Sequence, residues 1–248
     1  MSTQPLSAST YSVPPYRRIT RMFMRLLFRM LFHILSRVRI SGVENVPPNG
    51  PYLVAINHPS LFEPPFALAF WPIALEAAGA VEIWERPGQN LLARLYGGIQ
   101  VHRGEYDRQL VDTITAALQS GYPMLIAPEG GRTHTAAMRR GNAGAAYIAD
   151  QMRVPVIPVG IVGTTDDFLK RALRGERPAL EMRIGEPFNL PPLEGRGEAR
   201  RLSRQRNADS IMQHIAALLP PEYHGVYASD STETGQPADL QPPTDVPA

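Results

Sequence analysis

Short apolar runs alternate with helical-period segments along most of this chain, and that alternation constrains the fold more than any other feature. Tyr52 to Ile56, Ile99 to Val101, Met124 to Ile126, Val156 to Val162 and Leu180 to Ile184 read as strands, and Val38 to Ile40 as a further short one. Between them, Gln89 to Tyr96, Asp107 to Ser120, Asn142 to Met152 and Glu198 to Leu219 carry helical periodicity or end signals. Leu61 to Trp71 is an apolar helix candidate around Pro64-Pro65. Strands separated by helices predict an α/β fold: a single domain over residues 39–227 with a mixed, largely parallel sheet flanked by helices. Residues 1–15 read as a flexible N-terminus, and residues 228–248, rich in Pro, Ser, Thr and Asp with no basic side chain, as a disordered acidic tail.

One segment stands outside that alternation. From Tyr16 to Val38 the chain is basic and apolar by turns, and Arg18, Arg21, Arg25 and Arg29 step by three or four, forming one stripe of a helix. The broad apolar remainder predicts an amphipathic helix lying in a lipid interface. Its guanidiniums would meet headgroup phosphates, with Phe23, Leu27, Met30 and Leu31 in the acyl boundary. An ordinary core-facing helix and an organelle transit peptide are the alternatives. The longest charge-free run, Met30 to Ser36, falls far short of the roughly 20 residues a span requires. Seven arginines and no acid precede Ser41, so the net charge of +2 leaves −5 for the rest. A near-neutral chain of this kind is no dedicated nucleic-acid binder, and an anionic membrane surface is the expected partner. With 0 Cys, thiolate metal sites and Cys nucleophiles are excluded.

Chemistry concentrates where strands end. The run Tyr52 to Ile56 leads straight into Asn57-His58, placing an imidazole at a sheet end, and Glu63 follows within reach. A carboxylate there can hold the His tautomer and stabilise the imidazolium, as in a Ser-His-Asp triad, while a substrate hydroxyl takes the nucleophile's place. Ser60 lies in no nucleophile elbow, and one His with one Glu is too few ligands for a metal, so no metal is expected. Arg103 in Gly97–Gly104 and Arg132 in Ile126–Thr133 are the right forks to clamp a phosphate. Glu129 reads either as a partner of one of them or as an acceptor for a substrate hydroxyl. Val154 to Ile161 carries no ionisable group and reads first as a packed strand.

Four pieces then fall in a familiar order: Asn57-His58-x4-Glu63, Gly98-x4-Arg103-Gly104, Pro128-Glu129-Gly130-x-Arg132 and Val154-Pro155-x-x-Pro158-Val159. In that order and approximate spacing the chain resembles the glycerolipid acyltransferases, of the lysophosphatidic acid (1-acylglycerol-3-phosphate) type, over about Gly42 to Tyr227. It departs from the family pattern twice, with Glu63 where Asp is usual and Gly131 where Thr is usual.

The resemblance implies acyl transfer from acyl-CoA or acyl-carrier protein to a lysophospholipid hydroxyl, with no cofactor. His58 would be the general base and Glu63 its orienting acid. Asn57, Arg103, Gly104, Glu129, Gly130 and Arg132 would contact substrate. The expected location is the cytoplasmic face of the cell membrane, peripheral or monotopic. A different lysolipid or glycolipid acceptor, a lipid hydrolase and an inactive lipid-binding relative remain open.

Overall fold

A computed structural model describes residues 11–102 and 107–228. Arg103 and Gly104, the first ten residues and the acidic tail from residue 229 lie outside the described residues. Seven strands form one sheet: β1 (Arg37–Ser41), β2 (Leu53–Ile56), β3 (Glu76–Ala80), β4 (Ile99–Val101), β5 (Met124–Ile126), β6 (Val156–Val162) and β7 (Ala179–Ile184). Their spatial order is β1-β7-β6-β2-β5-β3-β4. Every neighbouring pair is parallel except β6–β7, so β1 and β7 run against the other five. The helices are α1 (Pro15–Leu35), α2 (Glu63–Phe70), α3 (Gln89–Tyr96), α4 (Arg108–Gln119), α5 (Ala143–Met152), α6 (Phe168–Leu173) and α7 (Glu198–Ala216).

Strand alternation divides the core between the two faces of the sheet. Leu53, Ala55, Met124 and Val156 pack with Ile114 and Leu118 of α4, the alanines of α5 and Ile211 and Ile215 of α7. Val54, Ile56, Ile157, Val159 and Ile161 face the other way, onto Phe66 of α2, Phe168 of α6 and Phe32 of α1. β2 is fully buried at all four positions, as befits a central parallel strand covered on both sides.

The N-terminal helix reverses the expected orientation. Arg21 is buried, not lipid-facing: its Nη1 and Nη2 bond Glu76 Oε1 and Oε2 at 2.5 and 2.7 Å, and its Nε donates to Tyr96 O at 2.8 Å. Arg25 donates to the carbonyls of Trp71 and Pro72, and Arg29 Nε to that of Ala69 at 2.6 Å. Arg18 turns back to Val13 O at 3.2 Å and Tyr122 Oη at 3.5 Å. Arg25 and Arg29 therefore cap the carbonyl end of α2, and Arg21 neutralises a buried carboxylate. A stripe turned as a whole to headgroups is corrected on that ground, because helix C-terminal carbonyls and Glu76 offer three of its four guanidiniums acceptors within the protein, while Arg18 stays exposed. Phe32, wedged among Phe66, Phe70 and Phe168, completes the inward face.

The apolar residues point outward instead. Ile19, Met22, Phe23, Leu26, Leu27, Met30, Leu31 and Ile34 are all exposed, Leu26 at 65% and Phe23 at 61%. Beside α1, α3 exposes Leu91, Leu92 and Leu95, with Thr20 Oγ1 bonded to Leu95 O at 2.9 Å. Among the described residues no helix is long and apolar enough to cross a membrane. The segment before α1 is not loose where it is described. Val13 is buried, and Tyr11 donates to Glu76 Oε2 at 2.7 Å while meeting Tyr122 edge to face.

Candidate active site

β2 delivers Asn57 and His58 to the carboxyl end of the sheet, where open α/β sheets hold ligands. Asn57 is spent on the fold: its amide donates to Ile161 O at 2.9 Å and accepts from Ile161 N–H at 2.8 Å, completing the β2–β6 edge. It is fully buried, so the expected substrate contact is corrected to a structural one. That pinning orients the next residue. His58 Nδ1 stands 3.0 Å from Glu63 Oε2.

Glu63 reaches the imidazole because it opens α2 and folds back over its own turn. Ser60 N–H donates to Oε2 and Ser60 Oγ–H to Oε1, both at 2.8 Å, and Phe62 N–H donates to Ser60 Oγ at 3.1 Å. Ser60 lies ahead of α2, whose N-cap is Phe62 with no side-chain cap, so these bonds tie the Ser60 turn to the first residue of the helix. Glu63 holds that turn and His58 with the same carboxylate, and the extra methylene relative to Asp is accommodated in that fold-back. Three donors converge on a side chain with 0% exposure. A carboxylate can only accept, so Nδ1 carries its proton and Nε2 its lone pair. Nε2 bonds no described residue, and the imidazole keeps 14% of its surface exposed. A hydroxyl arriving there meets a proton acceptor of fixed tautomer. Ser60 itself is fully buried, which removes it as a nucleophile.

The turn after β5 is built around Glu129. Its buried carboxylate accepts His58 N–H and Arg139 N–H, each at 2.8 Å, so it braces the two loops against each other. Burial pushes the carboxyl's pKa up, and the backbone N–H donors of Arg139 and His58 and the neighbouring side chains of those residues oppose that shift. Glu129 is thus no free acceptor for a substrate hydroxyl, nor an ion-pair partner of Arg132. Gly130 turns at φ +70°, where a Cβ would lie 2.2 Å from Asn142 Nδ2, so close packing against Asn142 explains the glycine without a substrate. Gly131 gives its carbonyl to Arg139 Nη2 at 2.7 Å. Thr133 N–H and His134 N–H, both at 3.0 Å from the carbonyls of His58 and Pro59, zip this loop alongside the His58 turn. Arg132 sits in that zipped segment, half-buried, with no hydrogen bond or ion pair to any other described residue. Of the expected substrate contacts it is the described residue left free to meet a ligand.

The roles of Ser60 and Arg139 were not anticipated. Ser60 is legible afterwards as the first residue of S-x-x-E before an apolar run, whereas nothing in the sequence around Arg139 marks its N–H as a carboxylate donor. Among the described residues no group of three or more His, Cys, Asp or Glu is arranged to hold a metal.

Comparison with known proteins bears on the same region. Residues 37–162 match a protein-family model described as Acyltransferase. The chain is 26% identical over 181 residues to 1-acyl-sn-glycerol-3-phosphate acyltransferase alpha of Homo sapiens, covering 70% of this chain and 62% of that one. The Bos taurus protein of the same name gives the same 26% identity, with 61% of its length covered. The chain thus spans about three-fifths of the curated relatives it matches. In fold it is similar to the crystal structure of the 1-acyl-sn-glycerophosphate (LPA) acyltransferase PlsC from Thermotoga maritima, with TM-score 0.57, 22% identity and 79% of each chain covered.

Proposed function

Because this chain belongs to the acyltransferase family, we propose that it transfers a fatty acyl group from acyl-CoA or acyl-carrier protein to the free hydroxyl of 1-acylglycerol-3-phosphate, giving phosphatidic acid. The observation that carries this reading is the His58–Glu63 pair at the sheet end, with Nδ1 tied to the carboxylate and Nε2 open. Nε2 takes the acceptor's hydroxyl proton as its oxygen attacks the thioester carbonyl. The tetrahedral intermediate collapses, the C–S bond breaks, and the thiolate leaves with the proton returned by the imidazolium. Glu63 acts by orienting the ring and stabilising its charged form. Arg132 offers the acceptor's phosphate a bidentate fork, and Arg103 is its expected companion in that task.

The same reading gives α1 its purpose. Its exposed apolar face, extended by the leucines of α3, lies in the lipid interface and holds the domain against a membrane-borne substrate, attached peripherally at the cytoplasmic face of the cell membrane. Membrane affinity comes chiefly from apolar burial, and Arg21, Arg25 and Arg29 attach the helix to the domain.

The test is purified full chain with labelled palmitoyl-CoA, and separately palmitoyl-carrier protein, and a panel of lysolipids in vesicles. Acceptor-dependent phosphatidic acid is expected. Preference for another lysolipid would replace the acceptor assignment. Free fatty acid released without acceptor would make the chain a hydrolase, and no turnover at all would make it a lipid-binding relative.

A further inference from the structure

A cavity of about 270 Å³ lies between α1 and the sheet, lined by Val13, Arg18, Arg21, Met22, Arg25, Ala74 and Tyr122. Ala74 precedes β3 and Tyr122 precedes β5, so the cavity sits at the amino end of the strands. His58 sits at the carboxyl end, with α2 running from one to the other: Glu63 opens it beside His58, and its last carbonyls meet Arg25 and Arg29. The cavity is therefore separate from the candidate acyl-transfer site.

Its charge is unbalanced. Three guanidiniums line it, and the Glu76 carboxylate pairs with Arg21 alone of the three, its Oε2 also accepting from Tyr11. Arg18 and Arg25 reach only carbonyls and a phenol among the described residues. Arg25 Nε is buried with no hydrogen-bond partner there, an uncommon state for a charged group's donor. Burial, with Arg29 beside it, lowers the pKa of Arg25, the mark of a cation short of counter-charge. The Tyr122 hydroxyl adds a neutral donor at the wall. Arg18, exposed at the mouth, and the half-buried Arg25 carry no carboxylate partner among the described residues, and with the Tyr122 phenol they offer donors to a compact tetrahedral anion. Met22, which also lines the cavity, belongs to the exposed apolar face of α1.

We propose that this cavity is a second anion site, binding the phosphate of an anionic phospholipid headgroup between Arg18 and Arg25 while the neighbouring apolar face of α1 rests among the acyl chains. The lipid source rests on the interfacial reading of α1; the cavity's affinity for phosphate does not. Such a site would make membrane attachment selective for anionic lipid, with the selectivity located in one pocket rather than spread over the helix.

The experiment uses the full chain and two probes. Thermal unfolding is followed in inorganic phosphate against chloride at equal ionic strength. Co-sedimentation is measured with vesicles of phosphatidylcholine alone and of phosphatidylcholine doped with phosphatidylglycerol. The variants are Arg18→Gln, Ala74→Glu, which places a carboxylate at the exposed rim, and Arg37→Gln, an equal charge change beyond the other end of α1. Phosphate should raise the melting temperature of the wild type and of Arg37→Gln, and should do little for the other two. The preference for anionic vesicles should fall about fivefold in Arg18→Gln and Ala74→Glu, the worth of one basic residue at such a surface, with binding to neutral vesicles unchanged. A phosphate response with no loss of vesicle preference would support the anion site and overturn its lipid source. No phosphate response in the wild type, or an equal loss in Arg37→Gln, would overturn the site. Failure of the wild type to bind any vesicle would overturn the interfacial helix alone, and the melting data would still decide the cavity.

Discussion

Glu76→Gln is the sharpest perturbation of the arginine stripe. The Glu76 side chain is 0% exposed and that of Arg21 4%, and the carboxylate is shared by two guanidinium nitrogens and the Tyr11 hydroxyl. Replacing it with an amide leaves the Arg21 cation buried against one backbone carbonyl and the face of Tyr96, 4.7 Å from the ring centroid. Breaking one side of a buried ion pair costs about 3–5 kcal/mol. At roughly 2–4 °C per kcal/mol for a chain of this size, the melting temperature should drop by about 6–20 °C. Converting both partners to apolar residues, Arg21→Met with Glu76→Leu, removes the stranded charge and should cost less than Glu76→Gln alone. Thermal unfolding of the wild type, Glu76→Gln, Arg21→Met, Glu76→Leu and the Arg21→Met/Glu76→Leu pair, followed by circular dichroism without lipid, measures the loss and the cycle. A loss below about 1 kcal/mol for Glu76→Gln would refute the claim that α1 is locked to the domain by its arginines, and would return the stripe to the lipid-facing role its spacing first suggested.

Other expectations follow from the same geometry. Burial raises the Glu129 pKa, so the native state holds that proton more tightly than the unfolded chain, and the stability tied to this group falls as pH rises from the ordinary carboxylate range through the raised value. Urea melts of Glu129→Gln and wild type between about pH 4 and about pH 7 should show a smaller loss with pH in the variant. The variant should also be about 1–3 kcal/mol less stable throughout, for the backbone donor left unmet. Ser60→Ala should lower the catalytic rate more than it raises KM, because it frees one oxygen of the Glu63 carboxylate; an unchanged rate would reduce the Ser60–Glu63 bond to a device of the turn. Leu26→Gln with Met30→Gln, both at exposed positions, should leave the melting temperature nearly unchanged while sharply reducing sedimentation with neutral vesicles; unchanged sedimentation would exclude that face from the membrane contact.

The strand set was largely legible because central strands bury both faces and spell themselves in Val, Ile, Leu and Met, as in Leu53–Ile56 and Val156–Val162. β3 was not, since Glu-Ala-Ala-Gly-Ala has no β-forming side chain; it is a strand because β5 and β4 supply backbone partners on either side. α6, at six residues, is too short to show a period. Asn142 does stand at the N-cap of α5, yet its side chain donates to Glu129 O at 3.2 Å instead of capping.

The acid–base pair was legible because its residues are five apart and joined by one turn. What Asn57 and Glu129 do was not, since Asn57 pairs with Ile161 and Glu129 with His58, 104 and 71 residues away along the chain. The direction of the arginine stripe failed for the same reason. Periodicity places four guanidiniums on one face of α1, but which way that face turns depends on acceptors at Ala69, Trp71, Glu76 and Tyr96.

Acyl transfer from labelled palmitoyl-CoA to 1-acylglycerol-3-phosphate by His58→Ala, read beside Glu63→Gln, Glu63→Asp and wild type at matched melting temperature, tests the central claim most directly. Loss of general-base catalysis lowers rates by about 10²–10⁴-fold, and a loss of that size is expected for His58→Ala. Glu63→Gln should fall less far, and Glu63→Asp should keep appreciable activity. Turnover near wild type by a folded His58→Ala would contradict the mechanism outright.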